Sequence, residues 1–349
     1  MKSIQEIDEN FKANQNIGKA DVRFYSVKES PFCIYGIFHE DGKFRRLPQA
    51  VAEKVSEGVL ELHAHTAGGR VRFRTNSTYV AMHADMPNIS KMSHFPITGS
   101  GGFDLYENVN GEEQYVRTFV PPFDVKDGYE GVIELGEGEH EVTIHFPLYS
   151  EVSELYIGLQ ETATVSAPAP YLEGEPIVYY GSSITQGGCA SRPGNAYQNI
   201  LTRKLRRDHI NLGFSGSAKG EDAIIEYIAS LPMSMFVCDY DHNAPTVEHL
   251  NATHEKLVKA VRQTHPTIPI VMLSRPKFRI TDEEKERLEI VKKTYRNAKT
   301  AGDENVYFMP GSELMAMARD EGTVDNAHPN DLGFTSMAKA LLPLLESLL

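Results

Sequence analysis

Along the first part of the chain, polar and apolar residues alternate with a period of two. Val59-Leu60-Glu61-Leu62-His63-Ala64 and Arg70-Val71-Arg72-Phe73-Arg74 read this way. So do Tyr79-Val80-Ala81-Met82-His83-Ala84 and His140-Glu141-Val142-Thr143-Ile144-His145-Phe146. Such alternation sets one strand face on a core and the other toward water. Asp41-Gly42, Gly68-Gly69, Asp127-Gly128 and Gly136-Glu137-Gly138 supply turns. Short strands without helical stretches predict an antiparallel, jelly-roll-like β-sandwich over residues 1–166. His63, His65, His83, His140 and His145 fall in this region and are expected to face solvent. A metal cluster among them would need a convergence that periodicity does not encode.

The pattern changes at the Pro-rich segment Ala167-Pro168-Ala169-Pro170, the expected boundary between two domains. Beyond it, over residues 167–349, short apolar runs at 177–180, 210–213, 235–239, 268–273 and 306–309 alternate with helical patterns. The helices are predicted near 196–207, 222–229, 247–264, 282–301, 313–319 and 333–348. Leu250, Leu257, Val258 and Val261 share one face at helical spacing. Alternation of this kind implies an α/β fold with a parallel sheet covered on both faces. Sites in such sheets lie beyond the carboxyl ends of the strands, which selects the residues to interrogate.

The first of these strands runs into Gly181-Ser182-Ser183-Ile184-Thr185-Gln186-Gly187-Gly188. A glycine there permits a tight turn, and the following N–H groups could face a developing negative charge. Alone, such a loop could equally cradle a phosphate, although Gly-x-Gly-x-x-Gly and Walker lysine patterns are absent. The second strand ends in Phe214-Ser215-Gly216-Ser217 and the third in Asp239-Tyr240-Asp241-His242-Asn243-Ala244-Pro245. After the fifth comes Asp325-Asn326-Ala327-His328-Pro329-Asn330. The convergence of these loops on one rim is the signal.

Charge narrows the alternatives. Lys plus Arg number 35 against 48 Asp plus Glu, a formal net charge of −13. So acidic a chain argues against nucleic acid or an anionic membrane as partner. The basic run Arg203-Lys204-Leu205-Arg206-Arg207 sits at a predicted helix C-terminus, where cations favour the dipole. No stretch of about 18 apolar residues predicts a membrane span, and no apolar run follows the first positive charge within residues 1–18. Three cysteines (Cys33, Cys189, Cys238) suit a reducing compartment. A cytoplasmic location is the resulting expectation, and oligomeric state is left open, a homo-oligomer included.

Gly181-Ser182-Ser183, Gly216, Asn243 and Asp325…His328 together resemble the four blocks of the SGNH (GDSL-type) hydrolases, in the family's order and over roughly residues 175–349. Ser182 stands where that family has Asp, Ile184 where it has Leu, and Asp241-His242-Asn243-Ala244 is a loose form of its third block. Gly101-Gly102-Phe103-Asp104-Leu105-Tyr106 is similar to the Gly-x-Asp-Leu-Tyr signature of a β-sandwich that precedes some SGNH domains in bacteria. The resemblance implies a flavodoxin-like three-layer α/β/α catalytic domain and relatives among carbohydrate acetylesterases or, less often, acyltransferases.

On this reading Ser183 is the nucleophile of a serine esterase, His328 its general base and Asp325 the acid that orients the imidazole. The N–H groups of Ser183 and Gly216 and the Asn243 side-chain amide would hold the oxyanion. A neutral imidazole can take a proton near pH 7, and an amide donates without titrating. Neither cofactor nor metal is expected. The substrate would be a small-molecule or oligosaccharide ester, with an O-acetyl group on a carbohydrate preferred. An acyltransferase or a non-catalytic carbohydrate-binding protein is the alternative. Arg192, Arg275, His242 and Asp104 are candidates for substrate binding, although the arginines could instead pair with the excess acids. Asp104 and Tyr106 could lie at the domain interface. Cys189 is an alternative nucleophile that would need its own base and a depressed pKa.

Overall fold

The computed structural model describes residues 4–8 and 16–349. The expectation for residues 1–18 falls largely outside them. After a single turn, α1 (Ile4–Ile7), come strands β1 (Val22–Ser26), β2 (Cys33–Tyr35), β3 (Phe38–Glu40), β4 (Lys43–Arg45), β5 (Arg70–Thr75) and β6 (Tyr79–Asp85). They are followed by β7 (Phe103–Val109), β8 (Glu112–Phe119), β9 (Gly128–Glu134), β10 (His140–His145), β11 (Glu154–Gln160) and β12 (Val165–Ser166). Two antiparallel sheets result, ordered β1-β11-β6-β9 and β12-β5-β10-β7-β8, with β2 also paired to β5. Val71, Phe73, Val80, Met82, Ile144 and Leu155 are fully buried in one core cluster, as period-two alternation requires.

Two features of this half depart from the sequence reading. The segment predicted as a strand at 59–64 is helical: α2 (Gln49–Val55) and α3 (Glu57–Leu62) run almost end to end. Ser56 caps α3 by accepting the Val59 N–H at 3.3 Å. Val59 and Leu62, three residues apart, join the same core cluster, and six residues are too few to separate period two from period 3.6. A further helical turn, α4 (Ile97–Ser100), also interrupts the strands. The second departure is the fate of the polar strand face. Arg70, Arg72 and His145 of that face are buried. His140, on the Val142 face beside Glu107, is buried too, as are His63 and His65 in the connection; of these histidines only His83 is partly open, beside Glu130 at 2.9 Å. The face expected to meet water meets the second half of the chain instead.

That half contains β13 (Ile177–Gly181), α5 (Ser183–Gln186), α6 (Tyr197–Leu205), β14 (His209–Gly213), α7 (Asp222–Ser230) and β15 (Met235–Asp239). It continues through α8 (Val247–Thr264), β16 (Ile270–Leu273), α9 (Asp282–Thr300), β17 (Val306–Met309), α10 (Gly311–Leu314) and α11 (Asp331–Leu348). The sheet is parallel, in the order β14-β13-β15-β16-β17. Val178, Tyr180, Phe236 and Met272 pack with residues of α7, α8 and α9, and with Ala52 of α2. Tyr179, Val237, Val271 and Leu273 pack with α6 and α11 on the other side. This is the three-layer α/β/α arrangement. Its strand order reverses beside β13, which opens a crevice at the carboxyl ends of β13 and β15.

The two halves are joined through buried polar groups. Arg46, almost fully enclosed, donates to the carbonyls of His65 (2.6 Å) and Leu62 (2.8 Å) in the first half. In β14 it reaches those of Asn211 (3.0 Å) and Gly213 (2.7 Å). Arg70 pairs with Asp208, and Arg72 donates to the Ala169 carbonyl at 2.9 Å.

Candidate active site

The turn after β13 is shaped by close approaches. Gly181 sits beside Gly213 on one neighbouring strand and Asp239 on the other. A Cβ on Gly181 would lie 2.4 Å from the Asp239 carbonyl oxygen, and one on Gly213 would lie 2.2 Å from the Gln186 nitrogen. Only glycine lets α5 sit down on the strand ends. Ser182 caps α5 by accepting the Ile184 N–H at 3.1 Å, and its own N–H donates to the Asp239 carbonyl at 3.1 Å. Ser and Asp are both good cap residues, so Ser182 meets the local need at the position where the family pattern has Asp.

Ser183 follows the cap and is 8% exposed. Its Oγ lies 3.0 Å from His328 Nε2, and His328 Nδ1 lies 2.7 Å from Asp325 Oδ2. The other Asp325 oxygen accepts the N–H groups of Ala327 (3.0 Å) and His328 (2.7 Å). One carboxylate thus closes its own turn and orients the imidazole. Burial alone would raise the Asp325 carboxyl; the N–H and ring of His328 outweigh it and hold the group down at about 2. Pro329 accepts the Cys189 N–H at 2.9 Å, and Asn330 caps α11 through Gly333. The Asp-x-x-His-Pro-Asn block is therefore fixed at both ends.

Gly216 has φ +64°, with open space where a Cβ would stand. Among the described residues, no acceptor takes the N–H of Ser183 or of Gly216. Asn243 Nδ2 donates to the Phe214 carbonyl at 3.1 Å, which leaves its second amide hydrogen for another acceptor. The Ser215 N–H, by contrast, is taken by Gln186 Oε1 at 3.0 Å.

The other sequence candidates are engaged elsewhere. Buried Asp104 accepts Arg192 at 2.9 Å and the Gly194 N–H at 2.9 Å, and Arg192 also reaches the Tyr106 hydroxyl. This cluster ties β7 to the loop before α6. Arg275 pairs with Glu284. His242 Nδ1 contacts Asp241 at 2.9 Å. Burial, with Asp325 nearby, pushes the Cys189 thiol up to about 12, which disfavours the thiolate a nucleophile needs.

Periodicity missed several residues that the fold brings to the site. Tyr149 donates its hydroxyl to the Ser183 carbonyl at 3.2 Å. Gln186 bridges the Ser215 N–H and His65 Nδ1 (3.2 Å). Asp239 accepts Thr185 Oγ1 at 3.1 Å; burial raises its carboxyl to about 7. His94 places Nε2 3.9 Å from Asp325 Oδ2. The signal in the sequence was a polar side chain inside or beside a tight turn; its partners are distant along the chain. Ligand-type atoms gather within 4.8 Å in His94-Cys189-His328 and in Asp239-Asp241-His242. In the first, His328 is already held by Ser183 and Asp325; in the second, Asp241 binds His242.

Residues 174–346 match the GDSL-like lipase/acylhydrolase family, and residues 22–165 match the N-terminal region of SGNH-hydrolase-type esterases. The chain is similar to a Bacteroides ovatus protein assigned as a GDSL-like lipase, with 29% identity, 94% and 98% of the two chains covered and a TM-score of 0.85. A salicylyl-acyltransferase from a tetracycline biosynthetic pathway shares the fold at 21% identity, 95% and 98% coverage and TM-score 0.76. So does a family two carbohydrate esterase from Cellvibrio japonicus, at 13% identity, 94% and 98% coverage and TM-score 0.63. No curated protein sequence matches the chain.

Proposed function

The chain belongs to the GDSL-like lipase/acylhydrolase family, and on that premise we propose that it is a serine esterase acting through Ser183, His328 and Asp325. The observation that carries this reading is the continuous path from Ser183 Oγ through the imidazole to Asp325, at 3.0 and 2.7 Å. His328 Nε2 removes the Ser183 proton as Oγ attacks the ester carbonyl. The N–H groups of Ser183 and Gly216 and the Asn243 amide receive the oxyanion, and each such donor is worth about 3 kcal/mol of barrier. His328 then protonates the departing alkoxide, leaving an acyl-serine. A water molecule, deprotonated by the same nitrogen, releases the acid.

The acyl group in this reading is small, acetyl foremost, and the alcohol is a carbohydrate. The shared fold of a carbohydrate esterase supports that substrate class. Transfer to an alcohol other than water would use the same residues. The partial exposure of the His328 and Asp325 side chains, 29% and 34%, favours water as acceptor. Three free cysteines suit a reducing compartment. No helix among the described residues is long and apolar enough to cross a membrane.

Ser183→Ala should abolish hydrolysis of p-nitrophenyl acetate while leaving the unfolding midpoint in place; undiminished turnover would overturn the assignment. Preference for the octanoate over the acetate ester would remove the acetyl reading alone.

A further inference from the structure

The triad has a neighbour contributed by the sandwich half. His94 Nε2 lies 3.9 Å from Asp325 Oδ2, its ring centroid is 5.9 Å from that of His328, and 46% of its side chain is open to solvent. Its position is built, because the residues around it are anchored. Phe95 is buried edge-on against Tyr149 at 5.2 Å, and Tyr149 holds the Ser183 carbonyl. Thr98 Oγ1 donates to the Ser191 carbonyl at 2.6 Å, and a Cβ on Gly99 would stand 2.0 Å from the Ala190 carbonyl oxygen. On the other side Lys91 Nζ donates to the carbonyls of Phe123 (3.1 Å) and Val125 (2.6 Å), joining this loop to the one between β8 and β9. A fixed segment therefore holds one half-exposed imidazole beside the general base, and among the described residues it has no hydrogen-bonding partner, Asp325 being 3.9 Å away.

The side on which it stands has a chemical meaning. The oxyanion donors follow β13, β14 and β15, whereas His94 stands on the Asp325–His328 side. The leaving oxygen takes its proton from His328 Nε2, so the alcohol half of an ester departs on this side. We propose that His94 contacts the substrate there, hydrogen-bonding a hydroxyl of the alcohol portion, and that the sandwich thereby sets preference for hydroxyl-bearing leaving groups. The proposal rests on the esterase reading above. An imidazole can donate to or accept from such a hydroxyl, and a site built to bind one discriminates strongly against an alcohol that lacks it.

The test uses the full-length protein, its His94→Ala and His94→Gln variants, and acetate esters that share the acyl group but differ in the alcohol. p-Nitrophenyl acetate has no hydroxyl on its leaving group, whereas a mono-O-acetyl xylopyranoside and monoacetylglycerol do. In His94→Ala the ratio of kcat/KM for the hydroxylated acetates over the aryl acetate should fall at least tenfold, mainly through KM. His94→Gln, which keeps a donor and an acceptor, should recover part of it. A ratio that stays constant in His94→Ala, whether both activities fall or neither does, overturns the proposal. So does a wild-type enzyme that turns over the aryl ester but neither hydroxylated one. Aryl-ester turnover that survives Ser183→Ala would count instead against the esterase reading.

Discussion

On the outer face of sheet β12-β5-β10-β7-β8, buried polar groups are largely paired off against the second half of the chain. Arg192 and the Gly194 N–H close on Asp104, Asp208 on Arg70, and the Ala169 carbonyl on Arg72 at 2.9 Å. At the carboxyl ends of β13, β14 and β15 several polar groups keep something unspent. Among the described residues the N–H groups of Ser183 and Gly216 have no acceptor, Asn243 has a second amide hydrogen, and Ser183 Oγ is tied only to its base. Burying a polar group is costly unless it is paired. The ion pairs therefore serve as joints, although Arg70 Nε and Glu113 Oε2 stay buried there without a partner. What sets the rim apart is that its open donors lie beside Ser183 Oγ, where a reacting group can be received. By that criterion Asp104 and Arg192, chosen from the sequence as substrate candidates, read as part of the joint.

The sharpest way to break the contrast is at the rim. His328→Ala should lower kcat/KM for p-nitrophenyl acetate roughly 10⁴-fold or more, with little change in the urea midpoint because the side chain lies at the partly exposed rim. Asp325→Asn should cost about 10²–10⁴-fold, since the carboxylate that fixes the tautomer is lost. Full activity in either variant would mean that the open rim is not the reaction centre.

At the joint the expected effect is on stability. Arg46→Ala removes a donor from four carbonyls at the seam between the halves and should cost about 3 kcal/mol or more. Denaturant unfolding measures it, and a loss below about 1 kcal/mol would show that Arg46 does not hold the joint.

Part of this contrast was legible in the sequence. Asp325 and His328 stand within one turn, so their meeting is local, and strand–helix alternation alone placed Ser183, Gly216 and Asn243 on one rim. The period-two signal reported correctly that Arg70, Arg72 and His145 share a face, but it carries no information on what covers that face. The error over His145 followed from this, because the cover is the second half of the chain. The helix at Glu57–Leu62 was lost to its shortness. His94, Tyr149 and Gln186 stayed invisible because each meets the nucleophile or its partners through packing between the halves.

A smaller effect is expected within the rim itself. Burial lifts the Asp239 carboxyl from 3.8 to about 7, so between pH 4 and 7 the folded chain keeps a proton that the unfolded chain releases. Stability conferred on the protonated form is present below pH 4 and is lost as pH rises through 7. Asp239→Asn removes that loss. Between pH 5 and 8 the wild type should lose about 2–3 kcal/mol more than the variant, and parallel pH profiles would contradict the buried, protonated acid.

Chemical trapping identifies the nucleophile directly. The protein is incubated with an aryl phosphonate that mimics the tetrahedral intermediate, then digested and mapped by mass spectrometry. The account predicts one adduct per chain, on Ser183, forming far more slowly in His328→Ala. An adduct on Cys189, or labelling of Ser183 at the same rate without His328, would contradict it.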